Sequence, residues 1–205
     1  MGASQIIYIR TDGNKDIAAG HIMRCLTIAR EIVTMGHSVC FLVSDEESLS
    51  ILCKQESSVV ITSDMQTYED SIDKNNIYAY ELSHADYRDL ERELPELLSL
   101  LQKYPGTLLI DSYYVTDNYL KALQAITGTA YIDDIRAFAY TADLLINYDC
   151  FTERMCAEHK NGIYKNIPNL LLGAEYAPLR PQFLDKKMEL KQDVKNIFIT
   201  TGSSD

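Results

Sequence analysis

Near the start of this chain one imidazole and two guanidinium groups stand within fifteen residues, in the stretch from Arg10-Thr11-Asp12-Gly13-Asn14 to Ala19-Gly20-His21-Ile22-Met23-Arg24. An imidazole can take a proton from water, and arginines beside free backbone N–H groups can hold a phosphate. Two further groups follow apolar runs later in the chain, Asp111-Ser112-Tyr113-Tyr114 and Asp133-Asp134. Together these residues suit the binding of an anionic substrate and the activation of a nucleophile against it.

Chemistry of that kind needs a scaffold that gathers distant residues at one edge. Ile6-Ile7-Tyr8-Ile9 reads as a buried strand, and Ile22, Leu26, Ala29 and Val33 recur at helical spacing before Gly36, which ends the helix as a C′ residue. The order is strand, glycine-containing loop, helix, which leaves the first N–H groups of the helix pointing into a crevice at the carboxyl end of a sheet. His21 falls in the first turn, where the helix dipole disfavours imidazolium and favours the neutral ring. The competing reading of His21 is a capping or merely exposed histidine.

Further strands are expected at Ser38 to Val43, Val59 to Ile61, Thr107 to Asp111, Ala130 to Ile132, Asp143 to Asn147 and Asn169 to Gly173. Helices are expected from the acidic opening at Asp45-Glu46-Glu47-Ser48, across Ala85 to Lys103, and from the Thr116-Asp117 cap to about Ile126. The charges of Ala85 to Lys103 read as a solvated face, the polar segment 62–76 reads as a loop or short helix, and 153–168 reads as irregular. Strands alternating with helices give an α/β doubly wound, Rossmann-like, mostly parallel sheet. Asp111 and Asp134 then end strands at the edge that carries His21, although a lone strand-end aspartate also serves to cap the next loop.

Composition narrows the partners. The 205 residues are 46% hydrophobic and 24% charged, as in a globular protein, and 19 Lys plus Arg against 30 Asp plus Glu leave a net charge of −11. That balance disfavours general attraction to nucleic acid or to an anionic membrane surface, so an anionic substrate needs a local positive pocket. Five cysteines, at 25, 40, 53, 150 and 156, form no C-x-x-C pair and leave one over. This argues against a disulfide framework and against a cysteine zinc site, and no other metal cluster or cofactor signature is visible. No signal pattern and no apolar run of about 20 residues is present, so a cytoplasmic location is expected.

The run D-G-N-x-x-I-A-x-G-H-I-M-R-C-L-T-I-A resembles the N-terminal signature of the UDP-2,4-diacetamido-2,4,6-trideoxy-β-L-altropyranose hydrolases of pseudaminic acid biosynthesis, and of related spore-coat polysaccharide biosynthesis proteins. Ile110 to Tyr114, Tyr131 to Asp134, Leu144 to Asn147, Gly173 to Arg180 and Thr201 to Asp205 resemble further motifs of that family in the same order. More distantly the family is similar to the peptidoglycan N-acetylglucosaminyltransferases, with a nucleotide held between two domains of the GT-B type. The resemblance implies a Rossmann-like N-terminal domain over 1–181, a linker over 182–195, and over 196–205 the first strand and loop of a second nucleotide-binding domain whose remainder is missing.

The resemblance also implies a role for each candidate. His21 would be the general base that activates water and Tyr113 the active-site tyrosine that places the sugar. Arg10, Asp12, Gly20, Arg24, Asp111, Asp134, Arg180, Gly202 and Ser203 would surround a UDP-sugar, with Arg10 near the diphosphate. Ala18 and Ser203 stand where relatives carry glycine, and if position 18 requires a positive φ the loop is strained by about 1 kcal/mol. Two rival readings remain at this point: a glycosyltransferase of the same architecture with an acceptor hydroxyl in place of water, and a nucleotide-sugar-binding or partner domain without turnover.

Overall fold

The computed structural model describes residues 5–63, 76–150, 162–184, 193, 195 and 197–199. The sheet strands are β1 (Ile6–Thr11), β2 (Ser38–Val43), β3 (Val60–Ile61), β4 (Ile77–Glu81), β5 (Thr107–Asp111), β6 (Thr129–Ile132), β7 (Leu144–Asn147) and β8 (Asn169–Leu172). They form one eight-stranded sheet in the order β3-β4-β2-β1-β5-β6-β7-β8, parallel at every pairing. Among the described residues four helices pack on it: α1 (Gly20–Thr34), α2 (Glu46–Gln55), α3 (Leu94–Lys103) and α4 (Asp117–Gln124). The α/β doubly wound class follows directly.

Alternation of side chains across the strands builds two cores. Ile9, Phe41 and Leu109 face α1 and α2, where Ile22, Leu26, Ala29 and Leu49 meet them. Tyr8, Leu108 and Ile110 face the other way, against Leu97, Leu101, Leu120 and Leu123 of α3 and α4. Burial on both faces is why β2 is buried at every position and reads as a continuous apolar run. From β1 the chain winds outward through β2, β3 and β4, then returns to place β5 on the free side of β1. The order reverses between β1 and β5, and at that switch point the loops leaving the two strands diverge and open a crevice.

Two expectations need correction. The strand Ile77–Glu81 lies between β3 and β2 and was not expected; Ile77, Tyr78 and Ala79 are buried there. The helix expected across Ala85 to Lys103 starts late: residues 83–89 form turns, a 3-10 turn spans Leu90–Glu93, and only Leu94–Lys103 is α-helical, with Pro95 in its first turn. Of the segments 62–76 and 153–168, residues 64–75 and 153–161 lie outside the described residues. So do residues 185–192 of the expected linker, together with Gly202 and Ser203. Ile197, Phe198 and Ile199, expected in a strand, pair with no strand among the described residues and are 80–87% exposed.

Candidate active site

At the switch point β1 and β5 run in register, with Thr11 opposite Asp111. The loop after β1 needs the glycine at its start: a Cβ on Gly13 would lie 2.8 Å from Ile22 Cδ1, so only a bare backbone lets the loop rest on the first turn of α1. Asn14 then turns the chain by accepting from the N–H groups of Asp16 and Ile17, and Ala18 takes φ 59 before α1 begins. The positive φ considered for position 18 is therefore present, carried by an alanine. Ala19 is the N-cap and offers no side-chain acceptor, so the N–H groups of Gly20, His21 and Ile22 have no acceptor among the described residues.

His21 sits in that first turn, 5% exposed, with Nδ1 2.7 Å from Asp111 Oδ1. A separation that short between a ring nitrogen and a carboxylate requires a proton between them, so we assign Nδ1–H as the donor to Asp111. The contact of Arg24 Nη2 with Nδ1 at 3.0 Å is then proximity and not a hydrogen bond. Nε2 takes no hydrogen bond within the described residues. The ring of Tyr113, itself 43% exposed, meets the imidazole edge-on, with centroids 4.4 Å apart and planes at 75°.

Asp111 is 1% exposed and its carboxylate is saturated. Oδ1 accepts from His21 and from Arg24 Nη2, while Oδ2 accepts from Arg24 Nε at 2.6 Å and from the Cys25 thiol at 3.3 Å. Burial alone would raise this carboxyl, but the hydrogen bonds from Arg24 and His21 outweigh it and hold Asp111 below the usual carboxylate range. The same burial beside Asp111 pushes the Cys25 thiol well up, which keeps it a protonated donor. Arg24 spends its remaining donor arm on Asp134 and on the Tyr148 hydroxyl, each at 2.5 Å. Its guanidinium is raised further above its ordinary value by Asp111 and Asp134, against the cost of burial, and stays charged.

Placement therefore sorts the expected substrate ligands. His21 and Tyr113 pack together at the switch point with Gly20 just before them at the start of α1, Asp111 holds His21, Arg24 both grips Asp111 and lines the pocket beside the α1 N-terminus, and Asp134, its side chain 25% exposed, anchors Arg24. Arg10 and Asp12 do not reach the crevice. Arg10 is fully buried on the α3 and α4 face, gripped by Glu93 through Nε at 2.7 Å and Nη2 at 2.8 Å, with Nη1 on Asp12 at 2.5 Å. Asp12, 3% exposed, holds the backbone N–H of Ser44 at 2.7 Å as well as Arg10. The expectation that Arg10 touches a diphosphate is overturned by that burial: the bidentate carboxylate on one side and Asp12 on the other leave no accessible donor.

Arg180 is placed differently. It is exposed, carries no carboxylate partner among the described residues, and lies over the Phe183 ring at 5.2 Å. With Gly20, Met23, Arg24, Leu179 and Phe183 it lines a pocket of about 330 Å³ beside the α1 N-terminus. Gly20 has ordinary helical surroundings, and a Cβ there would meet nothing within 4 Å. Its lack of a side chain is not demanded by packing and leaves room at the pocket mouth. A larger apolar groove of about 560 Å³ runs along the outer side of α1, bounded by Ile28, Ile146, Leu171 and Leu184, away from His21.

Two further polar groups were not expected. Asp133, fully buried, accepts from the hydroxyls of Tyr140 and Tyr164 and from two backbone N–H groups, so it shapes the loop after β6 and leaves Asp134 to face Arg24. Glu93 belongs to a stretch whose charges suggest a solvated face, yet it is fully buried, and the spacing of Leu90, Glu93 and Leu97 places it on the apolar side. Cys25, Cys40, Cys53 and Cys150 are free thiols. Among the described residues no group of three or more His, Cys, Asp or Glu could hold a metal ion, and no helix is long and apolar enough to cross a membrane. No protein-family model matches the chain, and no curated protein matches it.

Proposed function

We propose that the chain serves in hydrolysis of a UDP-linked sugar, the diacetamido-trideoxy class that the sequence resemblance points to, with His21 as general base. The observation that carries the reading is the His21–Asp111 pair at the switch point: a buried, ionised carboxylate fixes Nδ1–H, which in the neutral ring leaves Nε2, without a partner among the described residues, as the acceptor, with the Tyr113 ring packed edge-on against the imidazole. In the proposed reaction water loses a proton to Nε2 as its oxygen bonds to the anomeric carbon. The bond from that carbon to the diphosphate oxygen breaks, and UDP leaves with the electron pair.

The charge that develops on the leaving diphosphate has stabilisers close by. Gly20, at the start of α1 with its N–H unpaired among the described residues, and the guanidinium of Arg180 both line the pocket beside α1, which offsets the repulsion of a chain with net charge −11. Tyr113, whose phenol is raised by partial burial and by Asp134, remains a hydroxyl and can donate to the sugar. In the architecture that the resemblance implies, a second domain supplies the uridine side of the cleft. Incubation of the protein with UDP-sugars, with and without candidate acceptor alcohols, tests the reading. Free sugar and UDP in water alone support it, and release of UDP only when an acceptor is present overturns it in favour of transfer.

A further inference from the structure

We propose that Glu93 is a positioning residue for His21, acting through Arg10, Asp12 and Gly13 on the start of α1. Its part in turnover rests on the reading of His21 as the base; its part in holding the loop does not. Each link is short, directional and buried. Glu93 enters from the 3-10 turn Leu90–Glu93 and meets Arg10 with both carboxylate oxygens, at 2.7 and 2.8 Å, while Tyr119 donates its hydroxyl to Oε1 at 2.6 Å. This fork fixes the plane of the guanidinium, so that its Nη1 has one place to meet Asp12 Oδ2, at 2.5 Å.

Asp12 Oδ1 in turn accepts from the N–H and the hydroxyl of Ser44, at 2.7 and 2.9 Å, which ties the loop after β1 to the start of α2. The Ser48 hydroxyl closes the circuit by accepting from Gly13 N–H and reaching Gly13 O, both at 3.1 Å. Gly13 rests on Ile22, the residue after His21. A contact path thus runs from the α3 side of the sheet to the first turn of α1 on the other side.

Stability alone is a poor reason for this cluster. Two carboxylates share one guanidinium with almost no solvent, a combination whose desolvation cost offsets much of its Coulomb attraction and which apolar side chains of similar volume can replace. What the charges supply beyond apolar packing is direction. A general base needs its reacting atom held to within about half an ångström, and the β1–α1 loop, with its strained Ala18, has few apolar side chains of its own to do this.

The test is Glu93→Gln in the full chain, followed by residue-resolved amide hydrogen exchange and by steady-state kinetics on whichever UDP-sugar the parent hydrolyses. Glutamine keeps the volume and one acceptor but sets an NH₂ group against Arg10 Nη2, which breaks one arm of the fork. Exchange at 12–23 is expected to rise about tenfold with β5 and α4 unchanged. The same variant should lower kcat about tenfold with KM within about twofold. Tyr119→Phe, which removes only the hydroxyl bond to Glu93, should give the same pattern at smaller amplitude. Unchanged exchange at 12–23, or a rise spread evenly over the sheet with a fall in Tm, overturns the proposal and leaves Glu93 a structural residue. If the parent hydrolyses no UDP-sugar, the functional reading fails while the exchange pattern still decides the role of Glu93.

Discussion

Two ion clusters meet the carboxyl edge of one sheet from opposite faces. On the α3 and α4 side, Arg10, Glu93, Asp12 and Tyr119 are between 0 and 3% exposed, and Arg10 is held on both sides by carboxylates. On the α1 side, His21, Asp111, Arg24 and Asp134 are built from the same kinds of group, but exposure climbs from 1% at Asp111 to 43% at the neighbouring Tyr113. The difference lies in what is left unpaired. The sealed cluster spends its guanidinium on the protein, whereas the open one ends in a ring nitrogen, His21 Nε2, and three backbone N–H groups that lack partners among the described residues. Architecture and chemistry use the same residue types, and access tells them apart.

The largest effect should come from breaking the sealed side. Arg10→Ala leaves Glu93 and Asp12 buried without their cation, and removal of one partner from a buried pair typically costs about 3–5 kcal/mol. Chemical denaturation should show that loss as a lower midpoint, with any change in UDP affinity no greater than the loss of folded protein explains. A variant with parental stability and weakened UDP binding would return Arg10 to the crevice and erase the comparison.

The open side should behave in the opposite sense. His21→Asn removes the acceptor while keeping a donor within reach of Asp111, and the loss of a general base lowers turnover about a hundredfold or more. Thermal unfolding of the variant should stay close to the parent, because the Asn amide keeps a donor and Arg24 still holds the Asp111 carboxylate. Unchanged kinetics would remove His21 from the mechanism, and a collapse in Tm would make it a structural histidine.

The two clusters differed as well in how far they could be read from the sequence. His21, Asp111 and Asp134 were legible because strand ends and a glycine loop put them at one edge, a matter of local pattern. Glu93 was not, since it sits in Leu90-Glu91-Arg92-Glu93, where four residues carry three charges, and nothing local reveals that a buried Arg10 waits across the sheet. Arg10 was misplaced for the same reason: a cation beside a phosphate-type loop reads as a ligand until the alternation of β1 turns it to the other face. The strand Ile77–Glu81 escaped because five residues of Ile, Tyr, Ala, Tyr and Glu carry a weak signal, and its place is set by pairing with β2 and β3.

A titration separates the clusters at intermediate amplitude. Asp111 is held below the ordinary carboxylate value by Arg24 and His21. A depressed carboxylate adds stability that is fully present above its unfolded value, near 3.9, and is lost as pH falls through the lower folded value. Carbon-detected NMR of the Asp111 carboxyl should place its midpoint below that of a free aspartate, with unfolding eased over the same acidic window. A midpoint above the ordinary value would mean that burial wins over the two donors, and that His21 is not held by an ionised partner.

The smallest effect tests the loop that joins the clusters. Ala18 at φ 59 pairs in an isolated bridge with Asn14 and leads directly into Ala19 and Gly20. An L-residue there bears about 1 kcal/mol of strain that glycine would relieve, while glycine gives back about half of that by loosening the unfolded chain. Ala18→Gly should therefore raise stability by about 0.5 kcal/mol, or one to two degrees in a domain of this size. Turnover is the sharper measurement. If the sealed cluster alone positions His21, kcat should match the parent, because relief of strain leaves the Asp12 and Gly13 contacts in place. A fall in kcat with rising Tm would show that the stiffness of alanine at this position is itself part of the alignment, and a fall in Tm would refute the left-handed backbone at residue 18.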